Sequence, residues 1–269
     1  MANILAPVLP GLSARISHRF WAATKRYDRP AREQACFQKA TRQTMVVDGC
    51  RVAIYKWGSG PKVLCIHGWN GRATQYVELI DRLITSGYSV VGFDAPGHGN
   101  SDGNQTTLKQ MMDIVGHLQN NHGVFDVIVG HSFGFFVAVN VWRQAIQPKC
   151  FIGISSPADF TLLLKAFISN FGLNKVAAEA LANLLKQRYN AEELDDISIQ
   201  SIAREISVPC LLLHAESDNQ VPLSEPKKIL YQWQGAELTE VKRCGHSSIL
   251  RDRKAMDMCV RFLNRSAIQ

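Results

Sequence analysis

Residues 124–141, VFDVIVGHSFGFFVAVNV, constrain this chain more than any other stretch. The first part, through Val129, is apolar and β-branched and has the length of a buried strand. The second part, Phe133 to about Gln147, reads as a helix, with no Gly or Pro past Gly134. Between them stands Gly130-His131-Ser132-Phe133-Gly134, a G-x-S-x-G. A strand that turns abruptly into a helix puts this serine at a strained apex, the nucleophile elbow. Glycines on either side remove Cβ atoms where backbones crowd, and the helix N-terminus favours negative charge developing beside the hydroxyl. The same pentapeptide occurs by chance as an ordinary serine in a βα turn. Its position between a buried strand and a helix makes the signal stronger.

The chain has 269 residues, of which 46% are apolar. That suits one large α/β domain or one with an insertion. No apolar run approaches the roughly 18 residues of a membrane span. The opening MANILAPVLPGLSAR lacks early positive charge, is broken by two prolines and shows no clear cleavage site, so it does not read as a signal peptide. The seven cysteines are scattered, with no C-x-x-C pair and no Cys/His metal spacing. Reduced thiols, a cytoplasmic setting and no metal centre are the expectation.

The net charge of +7 is unevenly placed. Residues 1–44 carry eight Lys/Arg against Asp28 and Glu33, and the remaining 225 residues are close to neutral. The basic character therefore belongs to an N-terminal arm. Within it, residues 10–27 have helical periodicity, with Leu12, Ile16, Phe20, Ala23 and Tyr27 on one side and Arg15, Arg19, Arg26 and Arg29 on another. The expectation is a helix, stopped by Pro30, that packs its apolar side on its own domain and leaves the basic side to solvent. Contact with an acidic membrane surface or a partner protein is the alternative. Nucleic acid is disfavoured, because a short basic arm without a recognition module is weak evidence for it.

From Met45 onward strands and helices alternate. A hairpin turning at Asp48-Gly49 precedes a fully apolar strand at residues 63–66, which ends in His67-Gly68-Trp69-Asn70-Gly71. A helix, a strand at 89–93 and the loop Asp94-Ala95-Pro96-Gly97-His98-Gly99-Asn100-Ser101 follow, then a helix at 108–120, the elbow and a strand at 150–155. Residues 158–204 break this rhythm with two or three apolar helical segments and no convincing strand. They read as a cap over the strand ends, with ordinary crossover helices as the plain alternative. Two strands resume at 210–214 and 237–241, followed by loops at Asp218 and His246 and a closing helix. The expected fold is a mostly parallel sheet of about eight strands flanked by helices. Its core would span 45–157 and 205–269, with the cap inserted before the last two strands. Ligands bind such sheets at the carboxyl ends of the strands.

A serine hydroxyl is a poor nucleophile. It needs a base to take its proton, and the base needs a carboxylate to fix its tautomer. Ser132, Asp218 and His246 occur in the order Ser…Asp…His that this architecture uses. Glu216 competes with Asp218 for the acid role. His67 and His98 lie in glycine loops, His131 precedes the serine, and His214 ends a buried strand, so each has a structural reading. Asp94 reads as a brace for its own turn.

Here the chain resembles the α/β-hydrolase fold superfamily, and within it the lid-bearing esterases and lysophospholipases. The resemblance covers roughly residues 45–263. It rests on HGW at 67–69, DAPGHGNS at 94–101, GHSFG at 130–134, D-x-x-V-P at 218–222 and GH at 245–246. It implies Ser132 as nucleophile, His246 as base and Asp218 as its partner. The oxyanion hole would come from the backbone N–H groups of Phe133 and, by resemblance, Trp69. Trp69, Asn70, Phe133, Phe160 and Phe167 are the candidate substrate-pocket residues. No metal or organic cofactor is implied.

The expected function is hydrolysis of a small-molecule carboxylic ester with a short- to medium-chain or otherwise hydrophobic acyl group. Thioester or lysophospholipid hydrolysis on the same triad remains open, as does C–C bond hydrolysis. A reading from another class is a non-catalytic ligand-binding protein on a hydrolase scaffold.

Overall fold

Asp48 and Gly49 adopt positive φ angles of 50° and 74° in the computed structural model, which describes residues 1–266. This left-handed pair is what a two-residue hairpin requires. It joins β1 (Thr41–Val47) to β2 (Cys50–Trp57). The remaining strands are β3 (Lys62–Ile66), β4 (Ser89–Asp94), β5 (Val127–His131), β6 (Cys150–Ile154), β7 (Cys210–Ala215) and β8 (Ala236–Val241). They form one sheet in the order β1-β2-β4-β3-β5-β6-β7-β8. β1 and β2 pair antiparallel at one edge, and the strands from β4 to β8 pair in parallel.

Three helices precede the sheet: α1 (Ala2–Leu5), α2 (Pro10–Trp21) and α3 (Ala31–Lys39). α4 (Val77–Thr85), α5 (Leu108–His122) and α6 (Phe133–Asn140) alternate with the strands. α7 (Phe160–Phe171), α8 (Lys175–Tyr189) and the single turn α9 (Ile199–Ile202) lie between β6 and β7; α10 (Ser224–Gln232) and α11 (Arg253–Arg265) follow. Among the described residues no helix is long and apolar enough to cross a membrane.

Strands β4 to β7 are buried along their whole length, as strands covered on both faces must be. Alternate side chains serve opposite layers. Leu64, Val91, Ile128 and Leu212 join one core, while Val63, Val90, Val127 and Leu211 join the other. The chain leaves β3 towards β4 on one side and returns to β5 on the other. That switch opens a crevice at the carboxyl ends of β3 and β5. The helix after the elbow is shorter than the sequence suggests. α6 ends at Asn140, a 3-10 turn covers Val141–Gln144, and Ala145 turns left-handed at φ 61°.

The first 44 residues are not a separable arm. α2 stops at Trp21 and does not reach Tyr27. It packs on α8 and buries Ser13, Ala14, Ser17 and His18, while Leu12 and Phe20 are 45% and 54% exposed. Arg15 and Arg19 face solvent as expected, but the buried side is that of Ser13, Ala14 and Ser17, whereas Ile16 is half-buried and Phe20 meets the Phe171 ring at 5.9 Å. Small side chains at a contact let two helix axes approach closely. Trp21 sits against the rings of Phe160 and Phe167 at 5.6 and 5.3 Å. Asn3 exchanges hydrogen bonds with the turn between α7 and α8, at Gly172 and Asn174. α3 buries Cys36, whose carbonyl accepts from the Trp57 indole at 2.8 Å. Between α2 and α3, residues 22–30 form an irregular strap over the loops that follow β3 and β4.

The buried face of α2 has a measurable consequence. Ala14→Leu should destabilise the fold by about 1–3 kcal/mol through overpacking against α8. Leu12→Ser should stay within about 0.5 kcal/mol of the parent. Urea denaturation reads both, and the opposite ranking would contradict the packing described.

Candidate active site

The elbow forms because backbones meet there without clearance. A Cβ on Gly134 would lie 2.0 Å from the Ile66 carbonyl oxygen, and one on Gly130 would lie 2.3 Å from the Phe135 Cα. Ser132 is held at φ 52°, ψ −122°, a region that L-residues rarely occupy. Its N–H donates to the Ile154 carbonyl and its carbonyl accepts from Phe135 N–H, at 2.8 and 3.0 Å. These bonds to β6 and to the start of α6 keep the strained residue in place.

Asp218 follows β7 and His246 follows β8. His246 Nδ1 and Asp218 Oδ2 are 2.8 Å apart, with the Asp218 side chain buried and that of His246 nearly so. The other carboxylate oxygen accepts the N–H groups of Gln220 and Val221, both at 2.9 Å. Burial alone would raise the Asp218 pKa. The hydrogen bonds from His246, Val221 and Gln220 outweigh it and hold the carboxyl at about 2, because each stabilises the charged form. Glu216, the rival, accepts instead from the Arg243 N–H.

His131 Nε2 donates to the His246 carbonyl at 2.8 Å, so His131 braces the loop that carries the imidazole. Burial, and then the nearness of His246, lower its pKa to about 4. Ser132 and His246 line one cleft of about 350 Å³. Among the described residues no hydrogen bond joins the Ser132 hydroxyl to His246; such bonds often tighten only when substrate is bound.

The loop after β3 reaches the elbow at Gly68, where a Cβ would come within 3.1 Å of the Ser132 Cβ. Two neutral histidines hold this loop. His67 Nε2 accepts from Ala95 N–H at 3.0 Å while its Nδ1 donates to the Gly68 carbonyl at 2.7 Å. His98 Nε2 accepts from Asn70 N–H at 2.9 Å while its Nδ1 donates to the Pro96 carbonyl at 2.9 Å. Burial lowers the two pKa values to about 4 and about 3. Either ring must be neutral to accept through Nε2. Asp94 is buried and braces its own turn, accepting from Tyr55 Oη, Ala73 N–H and Asn100 N–H. Among the described residues the N–H groups of Trp69 and Phe133 have no acceptor. Trp69 lines the cleft with Ser132, and Phe133 follows the serine in the chain.

The strap closes one side of the cleft. The Trp69 indole donates to the Ala23 carbonyl, Lys25 N–H donates to Asn70 Oδ1, and Arg72 Nη1 donates to the Tyr27 carbonyl, at 3.2, 2.7 and 3.2 Å. Arg72 also forms a buried two-point ion pair with Glu33 at 2.6 and 3.0 Å. The walls of the cleft include Tyr27, Trp69, Asn70, Arg72, Gln220 and Ser247.

Trp69 and Asn70 thus line the cleft as the sequence suggests, but the three phenylalanines do not. Phe160 is fully buried against Trp21, Phe136 and Tyr189. Phe167 packs on Trp21 and Phe171. The Phe133 ring packs edge-on against Trp69 and parallel to Phe136. For Phe160 and Phe167 the neighbour is Trp21, which comes from the N-terminal segment. What remains around Ser132 is more polar than the cap composition implies. Tyr27 and the Arg72–Glu33 pair escaped sequence reasoning. Pro30 restricts only the residue before it and gave no sign that the helix ends at Trp21.

The model of the alpha/beta hydrolase family matches residues 63–256, and the chain belongs to that family. A stretch of 118 residues is 36% identical to the dihydrolipoyllysine-residue acetyltransferase component of the acetoin cleaving system of Cupriavidus necator, covering 42% of this chain and 31% of that protein. Another of 184 residues is 29% identical to the lysophosphatidylserine lipase ABHD12 of Danio rerio, covering 64% of this chain and 47% of that protein. The chain spans less than half the length of either relative. Among solved structures, Est1E of Butyrivibrio proteoclasticus with ferulic acid bound superposes with a TM-score of 0.66 at 17% identity, over 84% of this chain and all of that one. A monoacylglycerol lipase from Paleococcus ferrophilus superposes with a TM-score of 0.62 at 20% identity, over 80% and 99%. At these identities the structures share the fold.

The buried histidines make the fold acid-sensitive. His67, His98 and His131 titrate near 6.5 when unfolded and at about 4, 3 and 4 here. Between those values the unfolded chain binds more protons, so stability is complete above about pH 6.5 and falls as pH drops towards 4. The slope should reach up to about 1.4 kcal/mol per pH unit for each histidine that stays neutral. Urea melts across this range should show the decline, and a flat profile would contradict the neutral assignments.

Proposed function

We propose that the protein is a serine hydrolase that cleaves carboxylic esters through an acyl-enzyme on Ser132. The observation that carries this reading is the shared cleft. It holds a strained serine, an imidazole hydrogen-bonded to a buried carboxylate, and Trp69, whose N–H, like that of Phe133 next to the serine in sequence, has no acceptor among the described residues.

His246 Nε2 takes the Ser132 proton as the hydroxyl oxygen attacks the acyl carbon. Asp218 accepts from Nδ1, which fixes the tautomer and stabilises the imidazolium that forms. The carbonyl oxygen becomes an oxyanion and receives the N–H groups of Trp69 and Phe133, each worth about 3–4 kcal/mol of barrier. His246 then gives its proton to the departing alcohol. In the second half it activates water, which releases the acid and restores Ser132. Because the donors belong to the main chain, the Trp69 and Phe133 side chains affect fit more than charge stabilisation.

The cleft of about 350 Å³ and its polar walls favour the short end of the acyl range. Phe160 and Phe167 of α7 pack on Trp21. Similarity to a lysophosphatidylserine lipase and to a thioesterase domain of a curacin biosynthetic pathway makes lysophospholipids and acyl thioesters the next substrates to compare.

A panel of p-nitrophenyl acetate, butyrate and octanoate, an acyl thioester and a lysophospholipid tests the reading. The expected result is highest kcat/KM on acetate or butyrate. Ser132→Ala and His246→Ala should each lower kcat by about 10⁴-fold or more. Full turnover by purified Ser132→Ala would overturn the proposal.

A further inference from the structure

We propose that the strap formed by residues 22–30 is a positioning element of the active site, which holds the loop after β3 so that the Trp69 N–H points at the oxyanion. The inference rests on the serine-hydrolase reading above.

Three residues of that loop and its exit, Trp69, Asn70 and Arg72, each hydrogen-bond to the strap backbone, at Ala23, Lys25 and Tyr27. Asn70 is gripped from both directions. His98 accepts its N–H and the strap donates to its side-chain oxygen. Asn70 sits at a φ of 59°, a left-handed conformation that Asn adopts more readily than most residues, and the two bonds hold it there. The peptide between Trp69 and Asn70 is fixed by these two bonds, and the Trp69 N–H lies one peptide before it.

The strap is itself anchored, through the loop after β4. Thr24 donates from its N–H to the Asn104 carbonyl and from its hydroxyl to the Gly97 carbonyl, at 3.1 and 2.9 Å. Arg26 donates to the Ser101 and Gly103 carbonyls. Gly97 makes the fit possible, since a Cβ there would come within 2.2 Å of Thr24 Oγ1.

Core burial accounts for Ala22 at the start of the strap but not for the residues after it. Ala23, Lys25, Arg26, Tyr27 and Asp28 are all exposed. What it contributes is directed hydrogen bonds, and those on the far side end on the loop with the Trp69 donor. A donor displaced by about 1 Å at a reacting centre can cost on the order of 10²-fold in rate. The effect belongs in kcat, because the oxyanion exists only in the transition state and intermediate.

The test compares two substitutions at one exposed position. Lys25→Pro removes the N–H that Asn70 accepts. Lys25→Ala keeps that N–H and reports the loss of the ammonium, which lies 5.0 Å from the Tyr27 ring. On the best ester of the panel, Lys25→Pro should have a kcat at least about tenfold below Lys25→Ala, with KM within about threefold. Affinity for a trifluoromethyl ketone analogue should fall by the same factor as kcat. Equal kcat values for the two variants would overturn the proposal.

Should Lys25→Pro fail to fold, Thr24 supplies a second pair. Thr24→Val removes the hydroxyl that ties the strap to the Gly97 carbonyl, and Thr24→Ser retains it. Ser should preserve kcat at least about tenfold better than Val, and equal values would again overturn the proposal. Labelling of wild-type Ser132 by a fluorophosphonate separates the two levels. No labelling defeats the hydrolase reading itself. Labelling with equal kcat in the decisive pair defeats only the assignment of the strap.

Discussion

The contact on which the site depends is the seam between the elbow and β3. Gly134 lies against the Ile66 carbonyl with no room for a Cβ, and Gly68 returns from β3 to lie against Ser132. That seam keeps Ser132 at a positive φ, and it sets the loop carrying Trp69 beside the first turn of α6. The parallel sheet makes the seam possible, because β3 and β5 are neighbours whose carboxyl ends coincide. The strain at one residue is offset by a core that closes both faces of the sheet around it.

Electrostatics divide the polar groups of the site into two kinds. Asp218 is buried as an anion because hydrogen bonds from His246, Val221 and Gln220 outweigh its desolvation. His67, His98 and His131 are buried as neutral rings, each joining two loops through one donor and one acceptor nitrogen or through a carbonyl. His246 alone among these four is hydrogen-bonded to a carboxylate and borders the cleft with the serine. The chemistry proposed for the site needs that asymmetry. A proton must move at one imidazole while the others stay still.

Much of this was legible before the structure. The strand–helix corner at Ser132, the hairpin at Asp48-Gly49, the alternation of strands and the helices after β6 are written in local patterns of apolar residues and glycines. The chain order of Ser132, Asp218 and His246 marked the groups that the sheet gathers at one edge. The N-terminal segment was not legible, for a physical reason. Periodicity ranks faces by hydrophobicity, but α2 packs on α8 with the small Ser13, Ala14 and Ser17 buried, and the Ser13 hydroxyl is satisfied by the Ala2 carbonyl. The Glu33–Arg72 pair joins residues far apart in sequence, and no spacing rule connects them. The same blind spot misassigned Phe160 and Phe167. Their apolar character was visible, but not that Trp21 would reach them before any substrate could.

The central claim is that Ser132 attacks a carbonyl carbon whose oxygen comes to rest between the main-chain N–H groups of Trp69 and Phe133. The most direct measurement is a crystal structure of the protein after reaction with an alkyl fluorophosphonate. The account expects phosphorus bonded to Ser132 Oγ, with the phosphonyl oxygen about 3 Å from both of those nitrogens. An adduct on another residue, or a phosphonyl oxygen turned away from both N–H groups, would contradict it.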